Sequence, residues 1–171
     1  MDFTLRPWRA SDAAELPAHA SDPQVAQNLR DAFPYPYTLS DAEAFVTACM
    51  AQEGRGQLLR CIEIEGRAAG SIGLVLGEDV YRRSAELGYW LGRKYWRQGI
   101  MTRAVERMIR EGFDTWDIVR IHAEPYARNA GSRGVLEKAG FRLVGVQRKS
   151  VYKNGELLDS CIYEKLREEM G

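Results

Sequence analysis

The chain has 171 residues, 45% of them hydrophobic and 28% charged, the composition of a water-soluble fold about the length of one domain, expected to span residues 1–171. Lysine plus arginine and aspartate plus glutamate each number 24, so no net field draws the protein to nucleic acid or an anionic membrane, and any anion must be held by local geometry. Cys49, Cys61 and Cys161 are odd in number, far apart and without a neighbouring His or Cys at metal-ligand spacing, which reads as reduced thiols, no metal and a reducing compartment.

The first residues, Met1 to Arg6, carry no apolar leader core, and no stretch approaches the roughly 18 apolar residues of a membrane span. The expected location is the cytoplasm.

Residues Phe3 to Trp8 alternate as a strand, and Ser11-Asp12 then cap a helix from Ala13. Prolines keep the stretch Arg30 to Thr38 out of helix, and Ser40 with Glu43 forms a capping box for a helix to about Ala51. Gln57 to Ile64, Ala68 to Leu76 and Ser84 to Leu91 read as an antiparallel meander whose first turn is Glu65-Gly66-Arg67. Helical periodicity from Gly99 to Trp116, followed by an apolar strand from Val119 to Glu124, makes a strand-helix-strand unit whose strands should run parallel. A helix from Ala130 to Ala139 ends at Gly140, and strands follow near Phe141 to Gln147 and Ser160 to Leu166. The sum is an α/β (α+β) fold: a mixed, mostly antiparallel sheet of about seven strands with about four helices.

Chemistry concentrates where the apolar strand ending Tyr89-Trp90-Leu91 meets the basic turn Trp96-Arg97-Gln98-Gly99-Ile100-Met101-Thr102. The first amides of a helix lack internal partners and sit at the positive end of its dipole, so a diphosphate can accept several hydrogen bonds there. Gly99 permits close approach, Arg97 and Arg103 can add charge, and the Thr102 hydroxyl can reach a phosphate oxygen or cap the helix. An ordinary strand-to-helix turn with solvated basic residues fits this segment alone equally well.

This segment resembles the acetyl-CoA pyrophosphate loop of the GNAT acetyltransferases. The run Asn129-Ala130-Gly131-Ser132-Arg133-Gly134-Val135-Leu136-Glu137-Lys138-Ala139-Gly140-Phe141 resembles that family's second coenzyme A motif. Together they are similar to its ribosomal-protein N-acetyltransferase (RimJ/RimL-like) branch, over most of the chain. The resemblance implies that Tyr89, Trp90 and Leu91 offer backbone hydrogen bonds to the pantetheine arm, that residues Trp96 to Thr102 bind the pyrophosphate, and that Asn129 contacts the cosubstrate. Two positions depart from the family's loop signature: Trp96 stands for its usual first Arg or Gln, and Met101 for its last Gly or Ala.

The resemblance also implies an acyltransferase acting on a primary amine, a protein N-terminus or small molecule, by direct attack in a ternary complex. No activated nucleophile for a covalent intermediate is evident in the sequence. Glu86 resembles the glutamate base of histone-type members and otherwise reads as a salt-bridged strand carboxylate, with Asp159 and Glu156 as rivals. A carboxylate at its ordinary pKa of about 4.3 needs an elevating site or a relaying water to serve as base. Ser132 is the expected partner of the departing thiolate, because Leu136 occupies the position where many members place a tyrosine. A helix serine bonding back to its own turn is the alternative.

Phe33, Tyr35 and Tyr37 are expected either to line a substrate cleft or to pack over the sheet edge, and Arg30 to bind an acceptor carboxylate or backbone. His19 and His122 lack a nucleophile elbow or a second ligand at metal spacing, and His122 reads as a satisfied core residue. A non-catalytic acyl-CoA sensor and an enzyme for longer acyl chains, their pocket shaped by Met101 or the aromatic loop, remain competing readings; a homodimer is left open.

Overall fold

The computed structural model describes residues 1–171 and builds a seven-stranded sheet in the order β1-β2-β3-β4-β5-β7-β6. The strands are β1 (Thr4–Arg6), β2 (Gln57–Ile64), β3 (Arg67–Leu76), β4 (Ser84–Leu91), β5 (Arg120–Ala123), β6 (Arg142–Lys153) and β7 (Glu156–Leu166). The helices are α1 (Pro17–Ala20), α2 (Pro23–Ala26), α3 (Leu39–Gln52), α4 (Ile100–Thr115) and α5 (Ala130–Lys138). Every neighbouring pair runs antiparallel except β4 and β5, which the α4 crossover makes parallel. No helix is long and apolar enough to cross a membrane.

That parallel pair positions the site. It is in register only at Ser84 with Arg120, Ala85 with Ile121 and Glu86 with His122. Beyond Glu86, β4 runs on to Leu91 paired with β3 alone, so the sheet opens into a V with Glu86 and His122 at its apex.

One face of the sheet is packed by α4 and α5 over a large apolar cluster containing Ile72, Leu74, Leu87, Met108, Phe113, Ile121 and Leu136. Gly112 allows the closest approach, since a Cβ there would come within 2.5 Å of Leu74 Cδ1. The opposite face carries a smaller cluster, including Leu16, Tyr37, Val46, Cys61 and Trp90, to which β5, β6 and β7 contribute nothing. The helices before β2 therefore cover only the first half of that face.

Several expected boundaries shift for local reasons. β1 stops at Arg6 because Pro7 cannot donate to a ladder. Ser11-Asp12 do not cap a helix: Ala10 to Glu15 form a 3-10 turn. Asp12 is buried, accepts the Arg9 amide at 3.0 Å and pairs with the Arg6 guanidinium at 2.8 Å. Pro17 then restarts the chain as α1, and Asp22 caps the single turn of α2, accepting the Gln24 amide at 2.9 Å. The α3 capping box is Thr38 with Asp41 rather than Ser40 with Glu43. Asp41 accepts the Thr38 amide at 2.8 Å and Thr38 Oγ1 accepts the Asp41 amide at 3.2 Å, two residues earlier than expected.

The last two strands are longer than their apolar patterns, because Asn154-Gly155, both with positive φ, close a tight hairpin between them. Glu65-Gly66 does the same between β2 and β3.

Candidate active site

The turn after β4 is pinned at its base and open at its tip. Trp96 donates its indole N–H to the Leu91 carbonyl at 2.8 Å, tying the turn to the strand end. Arg97 and Gly99 both take positive φ, 62° and 72°, which curls the main chain so that successive amides face one side, an anion-binding concavity. The amides of Arg97 through Thr102 find no acceptor within the protein, and those of Ile100 to Thr102 begin the 16-residue α4 at its positive end. A Cβ on Gly99 would meet nothing within 4 Å, so glycine is needed there for its backbone angle rather than for room.

Arg97 is exposed and unpaired, free to face an anion. Arg103 is instead engaged by the carbonyls of Gly99 at 3.3 Å and Met1 at 2.7 Å. Met101 turns into the large cluster, 8% exposed, and does not crowd the turn.

Behind the turn lies a cavity of about 550 Å³ between α5 and the end of β4, whose β5-facing edge is free. Tyr89, Trp90, Leu91, Trp96, Arg97, Gly99, Ile100, Met101, Thr102, Asn129 and Ser132 all line it. Gln98 does not, its amide being turned to the Lys94 carbonyl at 3.2 Å. Asn129 caps α5 by accepting the Ser132 amide at 3.2 Å.

Ser132 Oγ lies 2.6 Å from Tyr89 Oη. Burial pushes the Tyr89 phenol up to about 12, against the opposing bond from Ser132, so at neutral pH it is a protonated donor. Sequence reading assigned Tyr89 only its backbone. The missed signal was alternation: as Leu87 points into the α4 side of β4, so does Tyr89, toward α5.

Across the sheet, the apex holds polar groups from three segments. One ligand atom from each of Glu86, His122 and Glu124 lies within 4.8 Å of the others. Arg30 reaches Glu86 at 2.9 Å. His122 is not the satisfied core residue its strand suggested: it is half-buried, without a hydrogen bond, on the face that no helix covers. Burial lowers its pKa, Arg120 adds to this, and the nearby glutamates oppose it. The ring is therefore neutral at pH 7.

Next to the apex is a second cavity, about 320 Å³, whose wall includes Arg30, Glu124, Tyr126, Lys153 and Ser160. Phe33 packs against Tyr37 and Trp90, with ring centroids 4.9 and 5.5 Å apart; Tyr37 is buried in the smaller cluster and Tyr35 is exposed. Of the rival carboxylates, Asp159 accepts the Lys149 amide at 2.8 Å and Glu156 pairs with Arg128 at 3.2 Å.

A splayed parallel pair, free amides at a helix start and a hydroxyl pair facing the same cavity together suit an enzyme that binds a diphosphate-bearing acyl donor. Residues 2–142 match the acetyltransferase (GNAT) domain model, and the chain belongs to the GNAT acetyltransferase family. It is 29% identical over 171 residues to the uncharacterized N-acetyltransferase p20 of Bacillus licheniformis, covering 98% of this chain and 94% of that one. Its fold matches the microcin C7 self-immunity acetyltransferase MccE, solved in complex with acetyl-CoA and AMP, with a TM-score of 0.84, 25% identity and coverage of 96% and 92%. RimL, a ribosomal L7/L12 alpha-N-protein acetyltransferase in complex with coenzyme A, shares the fold at a TM-score of 0.86, with 22% identity and coverage of 98% and 95%. The chain is thus an acyltransferase of the N-acetyltransferase type, with acetyl-CoA as its cosubstrate.

Proposed function

We propose that this chain, acting as one domain, moves the acetyl group of acetyl-CoA to the primary amine of a peptide N-terminus or small molecule by direct attack in a ternary complex. The observation that carries this reading is the V between β4 and β5: the amide-lined cleft opens on one side of its apex and the unpaired Glu124 and His122 on the other. Acetyl-CoA supplies the activated thioester; the rest is done by side chains and main chain.

The amides of Arg97 to Thr102, with the Arg97 guanidinium, hold the diphosphate, and the free edge of β4 at Tyr89 to Leu91 pairs with the pantetheine arm. Ser132, its hydroxyl set by Tyr89, donates to the departing sulfur. A thiolate of pKa about 8.5 needs only about 2 kcal/mol of help at pH 7, within reach of one hydroxyl. Glu86, Glu124 and neutral His122 take the amine proton, directly or through water. That costs about 1 kcal/mol for an α-amine of pKa about 7.8 and about 4.6 kcal/mol for a lysine amine.

Direct attack is supported by the cysteines. All three are buried, and burial pushes Cys49 and Cys61 up to about 12, far from the thiolate a covalent route would require. Thiol release from acetyl-CoA, screened against peptides with varied N-termini and small amines, tests the proposal; binding of coenzyme A without release from any acceptor would make the chain a sensor instead.

A further inference from the structure

We propose that the acceptor carries a carboxylate close to its reactive amine, and that Lys153 and Ser160 read that carboxylate in the smaller cavity. This rests on the acetyl-transfer reading and narrows its acceptor.

The cavity of about 320 Å³ has two poles. Glu124 is one: it makes no hydrogen bond or ion pair within the protein and adjoins Glu86 and His122 at the apex, a place for an ammonium. Lys153 is the other. Its side chain is only 7% exposed, yet its ammonium has a single partner, Asp31 at 2.9 Å. An ammonium has three donors, and burying one with donors unfilled is costly unless a ligand completes the set. Ser160, 6% exposed, also lines the cavity with a hydroxyl that no protein group meets.

Asp31 is 82% exposed and makes no bond except to Lys153. A weakly held surface carboxylate on a buried ammonium marks where an incoming carboxylate can take over. A free α-amino acid, or the first residue of a peptide with an acidic side chain, brings an amine and a carboxylate together within a cavity of about 320 Å³ lined by both Glu124 and Lys153. The chemistry is the same in both.

The test is thiol release with matched acceptor pairs: an α-amino acid against its primary amide, and peptides beginning with Asp against Asn or Glu against Gln. The carboxylate member should be preferred by about tenfold or more in kcat/KM, as expected for a bond to a buried charge. A preference in the amino-acid pair assigns the free metabolite; one confined to peptides assigns the side chain. Lys153→Gln should erase the preference by slowing the carboxylate member. Asp31→Asn, on an exposed loop and safe for folding, should lower that member's KM by freeing the ammonium. Equal rates for both members, or a preference indifferent to both variants, overturns the proposal. Calorimetric titration of the coenzyme-A-saturated protein with the amino acid and its amide reads carboxylate recognition without turnover, so a lack of thiol release would count against acetyl transfer alone.

Discussion

The donor and acceptor sides of the apex are built in opposite ways. The donor side comes from one continuous stretch, β4 through the start of α4, completed by the start of α5, and its working groups are mainly backbone amides shaped by φ at Arg97 and Gly99. The acceptor side gathers side chains from the loop after α2, the ends of β4 and β5, and the β6–β7 hairpin. A main-chain cradle depends on few residue identities, whereas a side-chain surface can be rewritten one charge at a time. That difference lets one fold keep its acyl donor while its acceptors diverge.

The donor side should break most sharply at Gly99. Valine at φ 72° adopts a backbone angle that costs a β-branched residue about 1–3 kcal/mol, and relaxing it would turn the amides away. The Cβ itself meets nothing within 4 Å, so the fold should survive. Gly99→Val is expected to raise the KM for acetyl-CoA by about 100-fold, read by steady-state thiol release; an unchanged KM would remove the turn from the diphosphate site.

Next in size is the hydroxyl pair. Ser132→Ala should lower kcat by about 30-fold, matching the roughly 2 kcal/mol needed for the leaving thiolate, with the KM for acetyl-CoA little changed. Tyr89→Phe keeps the serine but removes its partner at 2.6 Å, and should cost about fivefold through loss of one hydrogen bond. A full-sized effect of Tyr89→Phe would instead make the phenol the direct donor.

On the acceptor side the effect is smaller and depends on pH. His122→Gln or Glu86→Gln should lower kcat/KM for an α-amine by about sixfold at pH 7, the cost of deprotonating it unaided. The deficit should fade as pH rises, because the amine then loses its proton without help. A deficit that persists at about pH 9 would mean these groups position the acceptor instead.

The same contrast explains what could be read from sequence. The donor side was legible because strand end, basic turn, Gly99 and helix start are contiguous, as are Asn129 and Ser132. The fold was legible for a similar reason, since periodicity and turn residues act locally. Glu124, Lys153 and the changed standing of His122 were not legible. Their proximity depends on the β4–β5 register ending at Glu86 and on the Asn154-Gly155 hairpin, which sets how far β6 extends. Tyr89 fell between these cases, its position known but its side-chain partner dependent on where α5 docks.

The smallest expected effect compares the two sides through stability. His19 stands behind the donor turn, against the Tyr95 ring at 5.6 Å, and His122 stands at the apex. Burial lowers both below the usual 6.5, with Lys94 adding to it at His19 and Arg120 at His122. For such a group the unfolded chain binds the proton more readily, so stability is fully present above about pH 6.5 and is lost as pH falls toward the folded value. Asp12 titrates later. Burial pushes its carboxyl up, but the Arg6 and Arg9 bonds outweigh that and hold it below 3.8, so its contribution is lost only as pH falls through that lower folded value. Urea midpoints from about pH 8 to about pH 2 should therefore decline in two steps, the histidine step below about pH 6.5 and the Asp12 step below 3.8. His19→Gln and His122→Gln should each flatten part of the first, since burial lowers both rings against the opposing pull of Glu15 at His19 and of Glu86 and Glu124 at His122. An unaltered first step in the double variant would place its origin outside both sides of the site.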